Sequence, residues 1–504
     1  MKNNLNIRGS LLFRNTILNF IGQLVPLVIA VFTIPYVIHG LGVERFGVLS
    51  LAWVILGYFS IFDLGLGRAT TKFVAEELGK DQIDRIPKIV WTSLIIQTVI
   101  GALGGLVLAL ATPVLAEKIL RIPPHLVNET KLIFYILSLS VPLVICSRNL
   151  VGVLEASQRF DLINAIQIPS SSLGLLIPAI GISIGLTLPS IIVFLAVSWV
   201  LSTLVYFLLC LKVFPPLREG ITLDPKLFRP LFTFGGWVTL SNVLIPILLY
   251  LDRFIIGAVI SIAAISYYTA PYQIVSQLII VPGVLAVTLF PAFSGLSGVR
   301  SKDLERLYAR SLKYIILIMG PIAIIAILFS RDVLQVWLGV EFAANSTSVF
   351  QILALGMFLN ALAQMPANLL DGVGRPDIRA KVFLSYVVPY IGLLWLLISK
   401  LGIEGAALAW TLRAGLELIL FFEISRRLTH ISSGVFVKNG LLRGVMAFGG
   451  FCMIVILGYV LAKGILIQSL SILVGLIVFA FIAWKYAIDD EEKRLFLPIL
   501  RFKV

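Results

Sequence analysis

The residue with the strongest chemical demand in this chain is Arg148, which stands inside the apolar run VPLVICSRNLVGVLEA. A guanidinium in hydrocarbon is expensive, so it must face water, a counter-charge or an anionic ligand. No acidic residue lies one turn away. A shift of 216 residues lays Val144, Arg148 and Gly152 on Asn360, Gln364 and Asn368, and the latter three, four residues apart, share one helical face. That face reads either as the lining of a polar interior or as hydrogen-bonding glue between helices. A second stripe, Asn15, Asn19 and Gln23, runs up to Pro26. Tyr268, Tyr272 and Ser276, flanked by Gln273 and Gln277, form an aromatic and amide face suited to sugar rings, although tyrosine also marks membrane interfaces. Arg413 has Glu417 one turn later, which reads as an ion pair within the bundle or as a further cationic site. Asp63 with Arg68, and Asp252 with Arg253, close two apolar runs as gate latches or as interfacial residues, while Pro26, Pro35 and Pro246 are candidate bends.

These side chains need elements that can hold them in a bilayer. The 504 residues are 59% hydrophobic and only 13% charged, with mean hydropathy +1.02, which excludes a soluble domain. The apolar runs are too long, and alternate too little, for barrel strands. The expected class is an all-α polytopic membrane protein of about fourteen spans, near 11–37, 47–67, 88–115, 131–155, 161–183, 188–211, 229–256, 262–293, 311–330, 346–370, 378–399, 404–425, 440–461 and 465–486. No cleavable signal peptide is expected. Cys146, Cys210 and Cys452 have no metal-ligand spacing, and His39, His125 and His430 are isolated. Walker-type phosphate loops, nucleophile–base pairs and large catalytic loops are all missing from the sequence, so an enzyme is not expected, nor any cofactor.

The chain repeats itself. A shift of 220 aligns Pro26 with Pro246 and the charged loop 79–88 with 299–308, and the shift of 216 aligns LEASQRFD, 154–161, with LDGVGRPD, 370–377. The change of offset belongs in a loop, where insertions are tolerated. This predicts a six-helix lobe over 1–211, a linker over 212–228, a second lobe over 229–430, and two additional helices with a tail over 431–504. Six is even, so the halves are expected to be parallel repeats. With the N-terminus inside, 30 of the 40 Lys and Arg fall in cytoplasmic segments and 8 outside, which predicts that both termini are cytoplasmic. The net charge of +14 is then an orientation signal and a match for anionic lipid, not a nucleic-acid site.

The segments IPYVIHGLGVERFGVLSLAWVI, FDLGLGRATTKFVAEELG and LDRFIIGAVISIAAISYYTAPYQI resemble the polysaccharide flippases, the Wzx-type O-antigen and capsule repeat-unit translocases of the multidrug/oligosaccharidyl-lipid/polysaccharide exporter superfamily. The resemblance covers nearly the whole chain. It implies two bundles around a central cavity and transport of an undecaprenyl-pyrophosphate-linked oligosaccharide from the inner to the outer leaflet of the cytoplasmic membrane. Membrane lipids and the polysaccharide polymerase machinery would be its partners, and a monomer suffices. On that expectation Arg148, with Arg413 or Arg68, neutralises pyrophosphate, and the amide and tyrosine stripes line the glycan path. A peptidoglycan-precursor flippase, a cation-coupled multidrug exporter and a non-transporting scaffold of a glycan-assembly complex are the alternatives.

Overall fold

The computed structural model describes residues 25–59, 65–80, 82–157, 159–283, 285, 302–373, 375–461, 465–489 and 492–493. Among them every regular element is helical. Contacts divide the chain into two compact units, Met1–Ser266 and Tyr267–Val504.

The first unit carries α1 Val25–Leu41, α2 Val43–Phe59, α3 Leu66–Gly79, α4 Ile86–Val114, α5 Val127–Ala156, α6 Phe160–Ser183, α7 Leu188–Val213 and α8 Phe228–Val259. Helix α5 is its centre and packs on α2, α3, α4, α6 and α7. Small residues set how closely the helices approach, because lipid supplies no hydrophobic drive between them. A Cβ at Gly105 would lie 2.3 Å from the Ser138 carbonyl oxygen, and one at Gly101 would lie 2.6 Å from the Pro142 Cα, so α4 is pressed directly onto the α5 backbone. A Cβ at Gly152 would lie 2.7 Å from both the Gly67 carbonyl oxygen and Thr71 Oγ1, which fixes α3 against the last turns of α5. The core beneath is Val74, Ile89, Val90, Val153, Leu154 and Tyr206.

In the second unit, α9 Ile262–Ser276 enters from the first and is followed by α10 Lys302–Leu328, α11 Ser330–Leu338, α12 Val340–Gly372, α13 Pro376–Leu428, α14 Ser433–Lys438, α15 Leu441–Leu461 and α16 Ile465–Ile482. Helix α13 is two helices joined at Gly402, whose φ of 64° and ψ of −141° break the helical path. Helix α12 packs along α13, and α10 packs on α12 and α15. Beyond α16 the chain returns to α10. Lys313 and Glu492, both 0% exposed, pair at 2.7 Å, and Lys313 also donates to the Ala487 carbonyl. Glu492 further accepts from Tyr314 Oη at 2.7 Å and pairs with Arg310 at 3.1 Å. These further polar contacts offset the desolvation of a buried carboxylate and ammonium.

Nine helices among the described residues are long and apolar enough to cross a membrane, and one of them, Asp377–Leu428, is the pair divided at Gly402. The chain is thus an all-helical polytopic membrane protein. Its total of fourteen spans stays an expectation, because segments 11–37, 47–67 and 262–293 extend outside the described residues. The repeat is visible in atomic detail where α5 meets α6 and where α12 meets α13. Arg159 N donates to the Leu154 carbonyl at 3.0 Å and Leu162 N to Arg159 O at 3.1 Å; at the shift of 216, Arg375 N donates to Leu370 O at 2.9 Å and Ile378 N to Arg375 O at 3.2 Å. Each turn is also clasped by its own two-residue ion pair, Arg159–Asp161 at 2.9 Å and Arg375–Asp377 at 3.0 Å.

Candidate functional site

Arg148 is exposed on α5, with Asn149 and Leu150 buried behind it. Gly152, one turn on, is the residue held against Gly67 of α3. Arg68 follows Gly67 directly and is exposed, although Gly67, Ala69 and Thr70 are buried. The close approach at Gly152 therefore brings the first turn of α3, with its guanidinium, to the face of α5 that carries Arg148. Glu155 lies on that face too, seven residues beyond Arg148, and is exposed, with the charges of Arg68 and Arg148 near enough to act on its carboxyl. The charge of Arg148 also reaches Tyr206 of α7. Exposed charges on membrane helices must face water or a partner of opposite charge. Sequence reasoning missed Glu155 because it looked one turn from Arg148; a search at i+7, two turns along the same stripe, finds it.

The corresponding part of the second unit is built differently. Gln364 Nε2 donates to Asn360 Oδ1 at 3.3 Å, so two members of the amide stripe bond each other along α12. All three, with Asn368, are half-buried, and Asn368 Nδ2 is buried with no hydrogen-bond partner. Arg413 and Glu417 pair at 2.7 Å and are 6% and 5% exposed. Tyr386 Oη donates to Glu417, and the Arg413 guanidinium stacks over Trp410 at 5.4 Å and Tyr390 at 5.7 Å. Of the two readings of this pair, the closed ion pair is the one formed here.

The aromatic face joins that cluster. Tyr272 meets Trp410 edge-on at 6.1 Å and stacks with Tyr268 at the same distance. Tyr268 is fully buried, whereas Tyr272 and Gln273 are half-buried. Tyr268 thus serves packing, and its ring is closed to a sugar. Asp252 and Arg253 are buried and bonded at 3.0 Å, with Arg253 also donating to the Leu249 carbonyl at 2.7 Å; they close α8 upon itself. Pro26 and Pro35 fall within the described part of α1, and Pro246 falls within α8. Asn15, Asn19, Gln23 and Asp63 lie outside the described residues. No group of three or more potential metal ligands occurs among the described residues.

A match to the family model described as polysaccharide biosynthesis protein spans residues 12–297. The chain belongs to that family. This member is 30% identical over 423 residues to the "Putative O-antigen transporter" of Shigella flexneri, an alignment covering 83% of this chain and 99% of that one. Its fold is similar to that of the lipid II flippase MurJ in an inward closed conformation, with TM-score 0.71, 14% identity, and coverage of 97% of this chain and 100% of that one. It is similar also to an inward-facing multidrug resistance transporter of the MATE family, with TM-score 0.70, 16% identity, and coverage of 81% and 98%. The Wzx-type relationship suggested by the motifs is therefore the relationship found. This polysaccharide-family protein is a multi-pass membrane transporter whose relatives are named as transporters and flippases.

Proposed function

We propose that the protein moves an undecaprenyl-pyrophosphate-linked oligosaccharide repeat unit from the inner to the outer leaflet of the cytoplasmic membrane by alternating access, without chemistry on its cargo. The observation that carries this reading is the pair of exposed arginines, Arg68 and Arg148, on adjacent helices of one unit. A lipid-linked glycan has a head that hydrocarbon rejects and a pyrophosphate that bidentate guanidinium groups grip well. The Lys and Arg bias supports cytoplasmic termini, and with them a C-terminal end of α5, carrying Arg148 and Glu155, on the side where a substrate from the inner leaflet enters. The half-buried amides Asn360, Gln364 and Asn368 are then candidates for the glycan path. Arg413, engaged by Glu417, is left out of the phosphate site.

The test is translocation of a fluorescent undecaprenyl-pyrophosphate oligosaccharide in proteoliposomes. Arg148→Ala should lose transport by about tenfold or more, and Arg148→Lys, which keeps the charge but not the fork, should retain part of it. Unimpaired transport by Arg148→Ala would remove the site. A second reading, a peptidoglycan precursor as cargo, is favoured by the full-length likeness to MurJ. Running the same vesicles with lipid II decides between them.

A further inference from the structure

The two copies of the α5–α6 type turn differ in one respect that bears on the arginine site. Each copy has an acidic residue one position after its paired leucine, Glu155 after Leu154 and Asp371 after Leu370. In the second copy Asp371 has its own cation: Arg379, on the helix that follows, pairs with it at 2.7 Å. The position equivalent to Arg379 in the first copy is Ile163, which is buried in the core. Glu155 is thus deprived of the partner that the repeat supplies elsewhere. The packing of α3 on α5 instead brings Arg68, next to the Gly67–Gly152 contact, to the stripe of α5 that carries Glu155 and Arg148, and the charges of both arginines act on its carboxyl.

We propose that Glu155 is the resident counter-ion of the Arg68–Arg148 recess, and that the anionic head of the cargo must displace it to bind. This inference rests on the reading of that recess as a phosphate site. Two guanidinium groups on packed neighbouring helices repel each other in the absence of an anion, and a nearby carboxylate relieves the repulsion. An incoming anion that carries a single charge merely replaces one negative charge with another. A pyrophosphate carries more than one and gains on the exchange. Glu155 so becomes a specificity-determining residue that holds back singly charged phospholipid headgroups, which are abundant in the same leaflet.

Binding of geranylgeranyl pyrophosphate and of inorganic pyrophosphate to the purified full-length protein in nanodiscs tests this, with thermal unfolding as a check on each variant. Glu155→Gln should tighten both ligands about three- to tenfold, while Glu155→Asp, which keeps the charge, should stay near wild type. Arg148→Ala should weaken both, and in that background Glu155→Gln should gain less than about twofold, because the competition has gone. Phosphatidylglycerol added to the nanodiscs should compete better against the Glu155→Gln protein than against wild type. If Arg148→Ala weakens binding but Glu155→Gln leaves it unchanged or weaker, the counter-ion role is overturned and the phosphate site stands. Should Arg68→Ala and Arg148→Ala both bind as wild type does, the phosphate site falls and the counter-ion role with it.

Discussion

The two units of this transporter handle membrane-embedded charge in opposite ways. In the first, Arg68, Arg148 and Glu155 are accessible and share one another loosely. In the second, Arg413 is enclosed by Glu417, Trp410 and Tyr390, and Asp371 by Arg379. Both arrangements satisfy the rule that charge in a bilayer must be hydrated or paired. Only the exposed one leaves a cation accessible. At positions related by the shift of 216 the contrast lies in a few side chains, such as Ile163 for Arg379 and Arg148 for Gln364.

That contrast can be broken by experiment, and the largest effect belongs to the closed side. Arg413→Ala strands Glu417 in the interior and should cost about 3–5 kcal/mol of stability, read as a lower melting temperature in detergent. Arg148→Ala, which removes an accessible charge, should leave the melting temperature within about a degree or two while transport falls. Equal destabilisation by the two would show that the recess is not open.

Steric separation at the recess should come next. Gly152→Leu forces α3 away from α5, because even a Cβ there collides with the Gly67 carbonyl, and should cost about 1–3 kcal/mol with loss of transport. Gly152→Ala should produce a weaker version of both changes.

A pH effect distinguishes the closed pairs further. Burial pushes the Glu492 carboxyl up, but hydrogen bonds from Lys313, Tyr314 and the Asp489 amide, with the Lys313 charge, bring it net below its ordinary value. A carboxyl lowered in the folded state contributes stability that is fully present above its unfolded value, near 4.3 to 4.5, and is lost as pH falls through the folded value. Wild type should therefore lose melting temperature below about pH 4.5 more steeply than Glu492→Gln, which starts lower and stays flatter. The smallest effect is expected at the repeated turns: Asp161→Asn and Asp377→Asn should each shift melting by about a degree at most, since exposed pairs contribute little and the backbone bonds remain.

Hydropathy and loop charge made the all-helical membrane architecture legible, because a bilayer enforces long apolar runs. The repeat was legible at LEASQRFD and LDGVGRPD, since a turn held by its own residues carries its geometry in its own sequence. Arg148 stood out for the same local reason. Glu155 did not, because its significance comes from α3, which Gly152 brings to it. The Tyr268 ring read as a sugar-binding face, yet it is buried and stacks on Tyr272, whose edge contact with Trp410 is set by tertiary packing. The helix break at Gly402 was anticipated by the short loop between the eleventh and twelfth spans, and the two helices meet there at a single non-helical residue.

The joint between Lys313 and Glu492 imposes an order on synthesis. The ribosome delivers Lys313 179 residues before its partner. At about 5–20 residues per second, that interval is roughly ten to thirty-five seconds, during which α10 enters the bilayer with an ammonium that has no carboxylate to meet. The lysine must spend that time reaching for the headgroup layer. Only when the last of these residues emerges can it turn inward, so the second unit reaches its final packing as a late event of translation.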